Sequence, residues 1–191
     1  MVNTSKYNLS KDSAGIDDSG VLKNKMNIED PERLANVESL ALEKTYEHYT
    51  NLIKQEEIEI NLSLLFDIHE YFLSDLYDWA GEIREVNLSK GDTLFIPLEN
   101  IKQELDKLKS DFNQYVPNLE DSDEEVAEKL ATLHCELNVI HPFRDGNGRT
   151  IRLFINLLAF SVGYSLVNFD DVSREDYLQA SKDCMKKEYS K

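Results

Sequence analysis

DEEVAEKLATLHCELNVI (residues 123–140), HPFRDGN (141–147) and GRTIRLFINLLAFSV (148–162) form one continuous stretch in which two helices flank a short polar loop. In the first helix Val126, Leu130, Leu133, Leu137 and Ile140 recur at steps of four, three, four and three, which is one apolar face of a 3.6-residue period. Ser122-x-x-Glu125 opens it with a capping box. The second helix carries the most apolar run of the chain, Leu153 to Val167, broken by Asn156, Ser161 and Gly163. That run is too short and too interrupted to span a bilayer, which takes about 20 apolar residues, and reads as a buried helix.

Outward from this pair the helical reading continues. Asp30 caps and Pro31 starts a helix running to about Ile53, with Leu34, Val37, Leu40, Ala41 and Tyr46 on its apolar face. A second helix covers about Leu62 to Tyr77, and a third Leu98 to Tyr115. Ser173-x-x-Asp176 starts a last amphipathic helix with Tyr177, Ala180 and Cys184. Between the second and third helices the period changes to two. Glu82 to Val86 alternates, Ser89-Lys90-Gly91-Asp92 is turn chemistry, and Thr93, Leu94, Phe95 and Ile96 form a second strand ended by Pro97. The expected fold is all-α, a helical bundle with one inserted β-hairpin at about residues 82–97. Residues 1–27 are polar and read as a mobile arm, docked locally by Tyr7 or by Val21 and Leu22. At 191 residues, the rest, 28–191, forms one domain.

Composition excludes several functions. Lys and Arg number 21 against 37 Asp and Glu, a net charge of −16, which repels phosphate backbones and anionic lipid. No nucleic-acid or membrane partner is expected. Two cysteines make no disulfide framework, so the chain reads as reduced and cytoplasmic. Seven glycines and four prolines favour helices over a turn-rich β fold.

The chemistry is concentrated in the loop. Gly146-Asn147-Gly148 is a turn tolerant of positive φ at a helix start, able to aim backbone N–H groups at one anion. Arg149, Arg152 and Asn156 follow at spacings of three and four, on one face of an otherwise apolar helix. From His141 to Arg152 three Arg and one Asp give a local +2 within an acidic chain, suited to a small polyanion. Asp145 is the lone carboxylate, and one carboxylate plus phosphates is how Mg²⁺ is commonly held. His141 has the neutral-range basicity to take a proton from a hydroxyl. The combination implies phosphoryl or nucleotidyl transfer from a nucleoside triphosphate without a Walker loop or a kinase Gly-rich loop. His48 and His69 read as surface or packing residues, and a metal site at His134 is disfavoured because its neighbours point apart.

His141-Pro-Phe-Arg-Asp-Gly-Asn-Gly-Arg149 resembles the Fic family signature His-x-Phe-x-Asp/Glu-Gly-Asn-Gly-Arg, extended by a second arginine at Arg152. The Ile28-Glu-Asp-Pro-Glu-Arg-Leu opening, Trp79-Ala-Gly-Glu-Ile-Arg84 and Phe95-Ile-Pro97 are similar to that family's core and flap. The resemblance implies a helical fold and a protein adenylyltransferase activity, moving AMP from ATP to a Ser, Thr or Tyr hydroxyl of a target protein. It implies His141 as general base, Phe143 as the loop's anchor and Asp145 as the Mg²⁺ ligand. Gly146, Asn147 and Gly148 would hold phosphate, the Asn through its side-chain amide. Arg149 would neutralise the leaving pyrophosphate and Arg152 would contact the γ-phosphate. Thr93, Leu94, Phe95 and Ile96 would dock the target by strand addition. The related death-on-curing toxins transfer a γ-phosphate and carry Lys where Gly148 stands; an inactive binding module is the other alternative. The family's inhibitory Ser/Thr-x-x-x-Glu-Gly/Asn helix has no convincing match. Ser39…Glu43 is followed by Lys44 and Thr132…Glu136 by Leu137. An inhibitor is therefore expected on a separate antitoxin-like protein or beyond Lys191.

Overall fold

Asp30 accepts a hydrogen bond from the Arg33 N–H at 2.7 Å, with Pro31 at the first helical position, and so starts α1, Pro31–Lys54. The computed structural model describes residues 21–90 and 93–167, together with 173, 175, 176, 179, 180 and 183. α2 is Ser63–Leu73, α3 is Leu98–Asp111 continued by a 3-10 turn at Phe112–Gln114, α4 is Asp123–Ile140 and α5 is Asn147–Ser161. The capping box on α4 is complete: Ser122 Oγ accepts from the Glu125 N–H, and Glu125 Oε2 accepts from the Ser122 N–H at 2.8 Å.

α5 packs against α1, α2 and α4. Leu153, Phe154, Leu157 and Leu158 are fully buried, as is Ile151, so the helix is apolar nearly all round and occupies the centre. Each such side chain stabilises the fold by about 1.5–3 kcal/mol. Leu133 and Leu137 of α4, Leu65 and Ile68 of α2, and Ile101 of α3 complete that core. A second cluster gathers Val21, Ile28, Leu34, Phe72, Leu73, Leu76 and Tyr77. Val21 is therefore a real docking point for the N-terminal segment, and the Lys25 N–H donates to the Leu76 carbonyl at 2.8 Å. Tyr7 and the rest of the arm to residue 20 lie outside the described residues, as do Tyr177, Cys184 and most of the last helix.

Four expectations change. The described strands are only β1, Ser89–Lys90, and β2, Thr93–Leu94, antiparallel with Ser89 opposite Leu94 and Lys90 opposite Thr93. Glu82–Val86 is not a strand, because its buried residue is Arg84 while Ile83 faces solvent. Phe95 and Ile96 are likewise not an edge: both are buried, and their N–H groups donate inward to the Leu88 and Val139 carbonyls. On α1 the buried residues are Leu34, Glu38, Thr45 and Tyr49, and Leu40 is exposed. Cys135 is disulfide-bonded, not the reduced thiol expected. Among the described residues no helix is long and apolar enough to cross a membrane.

Candidate active site

The loop between α4 and α5 is shaped by three local features. His141 ends α4 in the left-handed conformation, φ 49 and ψ 60, which costs a non-glycine residue about 1–3 kcal/mol unless its surroundings enforce it. Asn147 holds the turn shut: its Oδ1 accepts from the Phe143 N–H at 2.8 Å and its Nδ2 donates to the Phe143 carbonyl at 2.6 Å. Asn147 is fully buried, so its amide shapes the loop and does not reach out to a phosphate, which corrects the expectation for that side chain. Gly146 sits at φ 79, where a Cβ would come within 2.9 Å of Leu73 and 3.2 Å of His69; no other residue fits.

Phe143 is fully buried, stacked on His69 at 3.8 Å and edge-on to Phe66 at 5.1 Å. The His141 ring lies against Phe95 at 3.7 Å. Its Nδ1 is 3.2 Å from the Asn138 carbonyl. A carbonyl only accepts, so Nδ1 carries the proton, and neutral His141 presents Nε2 as the basic atom.

The helix that follows brings two arginines to the same end. Arg152 Nη1 lies beside Gly148, where a Cβ would come within 3.3 Å of it. Arg149 crosses to α1, where Nη1 donates to Glu38 Oε2 at 2.5 Å, while Nη2 is 3.6 Å from Asp145 Oδ1. Burial pulls the Arg149 guanidinium down, but Glu38 and Asp145 outweigh it and hold the group above its ordinary value. Glu38 also accepts from the Tyr77 hydroxyl at 2.6 Å. The helix face is thus divided: Arg149 and Asn156 meet α1, Asn156 through the Tyr46 hydroxyl at 3.3 Å, and Arg152 lies near His134 of α4. Asp145, with its side chain 16% exposed, accepts from the Gly146 N–H at 2.5 Å and keeps its other oxygen for a ligand at the mouth. A single carboxylate there fits a cation that takes its remaining ligands from phosphate and water.

Sequence reading missed Glu38, His69 and Arg84. His69 is fully buried; the Gly81 N–H donates to its Nδ1 at 2.8 Å, so its Nε2–H donates to the Asp145 carbonyl at 3.0 Å. It holds the acidic loop from behind. Its signal was a place on the apolar face of α2, between Leu65 and Phe72. Glu38 had the same signal, four residues after Leu34.

Burial drives His69 down to about 4, against a smaller upward pull from the Asp145 carbonyl, with Arg149 also lowering it; burial and then Arg152 take His134 to about 4. A depressed histidine is more easily protonated in the unfolded chain. The stabilisation is therefore complete above pH 6.5 and is lost as pH falls from there through 4. Each such histidine is worth about 3 kcal/mol across that window. Urea midpoints between pH 7 and pH 4 should fall steeply in the native chain and less steeply in His69→Gln. Equal slopes would show that His69 does not carry the effect.

The sequence pattern of the Fic/DOC family matches residues 59–159. The chain is 34% identical over 169 residues to the Escherichia coli (strain K12) protein named "Probable protein adenylyltransferase Fic", covering 85% of this chain and 78% of that relative. The N-terminal Fic domain of Bep8 from Bartonella sp. 1-1C superposes with a TM-score of 0.72 at 23% identity, over 92% of this chain and 86% of the other. BepC from Bartonella tribocorum, solved with AMPPNP bound, gives a TM-score of 0.64 at 25% identity, over 87% and 90%. The matched segment contains the loop whose geometry is described above, and the chain belongs to the Fic/DOC family.

Proposed function

We infer that the chain is a protein adenylyltransferase, a nucleotidyltransferase that moves AMP from ATP to a hydroxyl side chain of a target protein. The observation that carries this is the arrangement of the loop: a buried histidine with its basic Nε2 turned away from its own backbone, next to a helix N-terminus with two arginines and one carboxylate. The names of the E. coli relative and of others like it support it, as does the AMPPNP found in BepC.

In this reading the target hydroxyl gives its proton to His141 Nε2 as its oxygen attacks the α-phosphorus. The bond from that phosphorus to the α,β-bridging oxygen breaks, and pyrophosphate leaves. Asp145 would hold Mg²⁺, which supplies charge neutralisation on the phosphates when bound. The N–H groups around Gly146 and Gly148 at the start of α5 receive phosphate oxygens. Arg149 offsets the charge of the leaving group, and Arg152 reaches the γ-phosphate across Gly148. Phe143 and Asn147 keep the loop in shape. Thr93 and Leu94 of β2 offer the docking edge for the target. Gly148 leaves space that a lysine would fill, which disfavours γ-phosphate transfer. An inhibitory partner, where one exists, would bring its carboxylate to Arg152, since Glu38 engages Arg149.

With Mg²⁺ and ATP labelled at either end, label should enter protein from the α position and not from the γ position, with a mass gain of one AMP. Label from the γ position alone would replace this reading with phosphotransfer, and none from either would make the chain a binding module.

A further inference from the structure

Arg84 is the largest fully buried side chain among the described residues. Its Nε donates to the His141 carbonyl at 2.9 Å, its Nη1 to the Val86 carbonyl at 2.6 Å, and its Nη2 to the Ile96 carbonyl. Its backbone N–H donates to the Pro142 carbonyl at 2.8 Å. One guanidinium thus joins three separate pieces of chain: the end of α4, the approach to β1 and the exit from β2.

A permanent cation in the interior is a poor source of stability. Its desolvation costs several kcal/mol, and apolar residues of similar volume often replace buried ionic groups without loss. What apolar residues lack is a planar fork with fixed donor directions, which sets its acceptors in a definite mutual geometry. Two features beside Arg84 show what is being held. The carbonyl that Nε binds belongs to His141, whose left-handed backbone needs enforcement from its surroundings. The residue before Ile96 is Phe95, whose ring lies against the His141 imidazole with 19° between the planes. The Ile96 N–H adds a bond to the Val139 carbonyl, at the end of the same helix.

We propose that Arg84 is a positioning residue for the transfer reaction: by binding the His141, Val86 and Ile96 carbonyls together, it fixes the basic histidine relative to the strand pair that receives the target. The proposal rests on the functional reading above. A target strand registered on β2 delivers its hydroxyl wherever β2 stands, so the hydroxyl comes within hydrogen-bonding reach of Nε2 only if the two are held together. A misplacement of about 1 Å at a reacting group costs on the order of 10²-fold in rate.

The test uses the full chain with α-labelled ATP and Mg²⁺, self-labelling as the transfer readout, AMPPNP affinity by calorimetry, and the NMR shifts and pH titration of the His141 ring. Arg84→Lys keeps the charge and loses the fork. It should stay folded, bind AMPPNP within about twofold of the native chain and self-label at least tenfold more slowly, with the His141 ring signals displaced as the Phe95 stack loosens. A folded Arg84→Lys with native self-labelling and native ring signals overturns the proposal, as does a loss of labelling no greater than the loss of AMPPNP affinity. If the native chain does not self-label at all, the functional reading is what fails, and the ring signals still decide whether Arg84 sets the histidine. Should Arg84→Lys not fold, the native chain gives the answer: the Arg84 Nε–H must exchange slowly with solvent, and exchange at the rate of a surface arginine refutes the proposal.

Discussion

Transfer by a His141→Ala variant is expected to fall about 10²–10⁴-fold, the usual loss for a general base, while AMPPNP affinity stays at the native level. The geometry separates the two effects. His141 is at the end of α4, with its Nδ1–H bound to the Asn138 carbonyl and its ring packed on Phe95, on the side of the loop that faces the strand pair. The phosphate-facing groups lie on the other side, at the start of α5. Removing the imidazole takes away the proton acceptor and leaves the anion cradle in place. Single-turnover transfer and calorimetry on the same preparation check it. Near-native turnover would remove His141 from the chemistry; loss of AMPPNP binding in a folded variant would make it part of the nucleotide site.

Arg149→Ala should damage both folding and nucleotide binding, through separable causes. Glu38 is buried and ion-paired to Arg149, so deleting the arginine strands a carboxylate in the interior, a loss of roughly 3–5 kcal/mol. The missing charged hydrogen bond to phosphate is worth about 1.5–3 kcal/mol, or about 10- to 100-fold in AMPPNP affinity. The double variant Glu38→Gln with Arg149→Ala distinguishes them. A neutral amide there still accepts from the Tyr77 hydroxyl and no longer needs a cation. Its urea midpoint should recover most of the way, and its AMPPNP affinity should not recover. If the double variant binds AMPPNP like the native chain, Arg149 serves only Glu38.

The helices could be read in advance wherever caps and period agreed. Asp30 with Pro31, and Ser122 with Glu125, fixed the starts of α1 and α4, and the loop between α4 and α5 could be read almost residue by residue. What escaped were polar residues whose meaning lies in distant partners. Glu38 meets Arg149 across 111 positions, His69 meets Asp145 across 76, and Arg84 meets His141 across 57. Periodicity tells which face a residue occupies, and nothing about what that face will touch. The 82–86 segment failed for a different reason: in an alternating run the choice of the inward set is a one-residue decision, and the hydrogen bonds of Arg84 reversed it. Asn147 was identified as a loop residue but given an outward task, because a side-chain amide looks the same in sequence whether it closes a turn or greets a ligand.

α5 is at once the most enclosed helix of the core and the platform for the phosphate-facing groups. An enzyme built this way has no soft region on which to tune its nucleotide grip. Amides in the middle of such a helix exchange with solvent only when the whole domain opens, so the cradle is either fully formed or absent together with the fold. Variants selected to loosen or tighten nucleotide binding must then arise at the first turn of α5 or in the elements that brace it, and those that alter its interior will be lost first as unfolded protein.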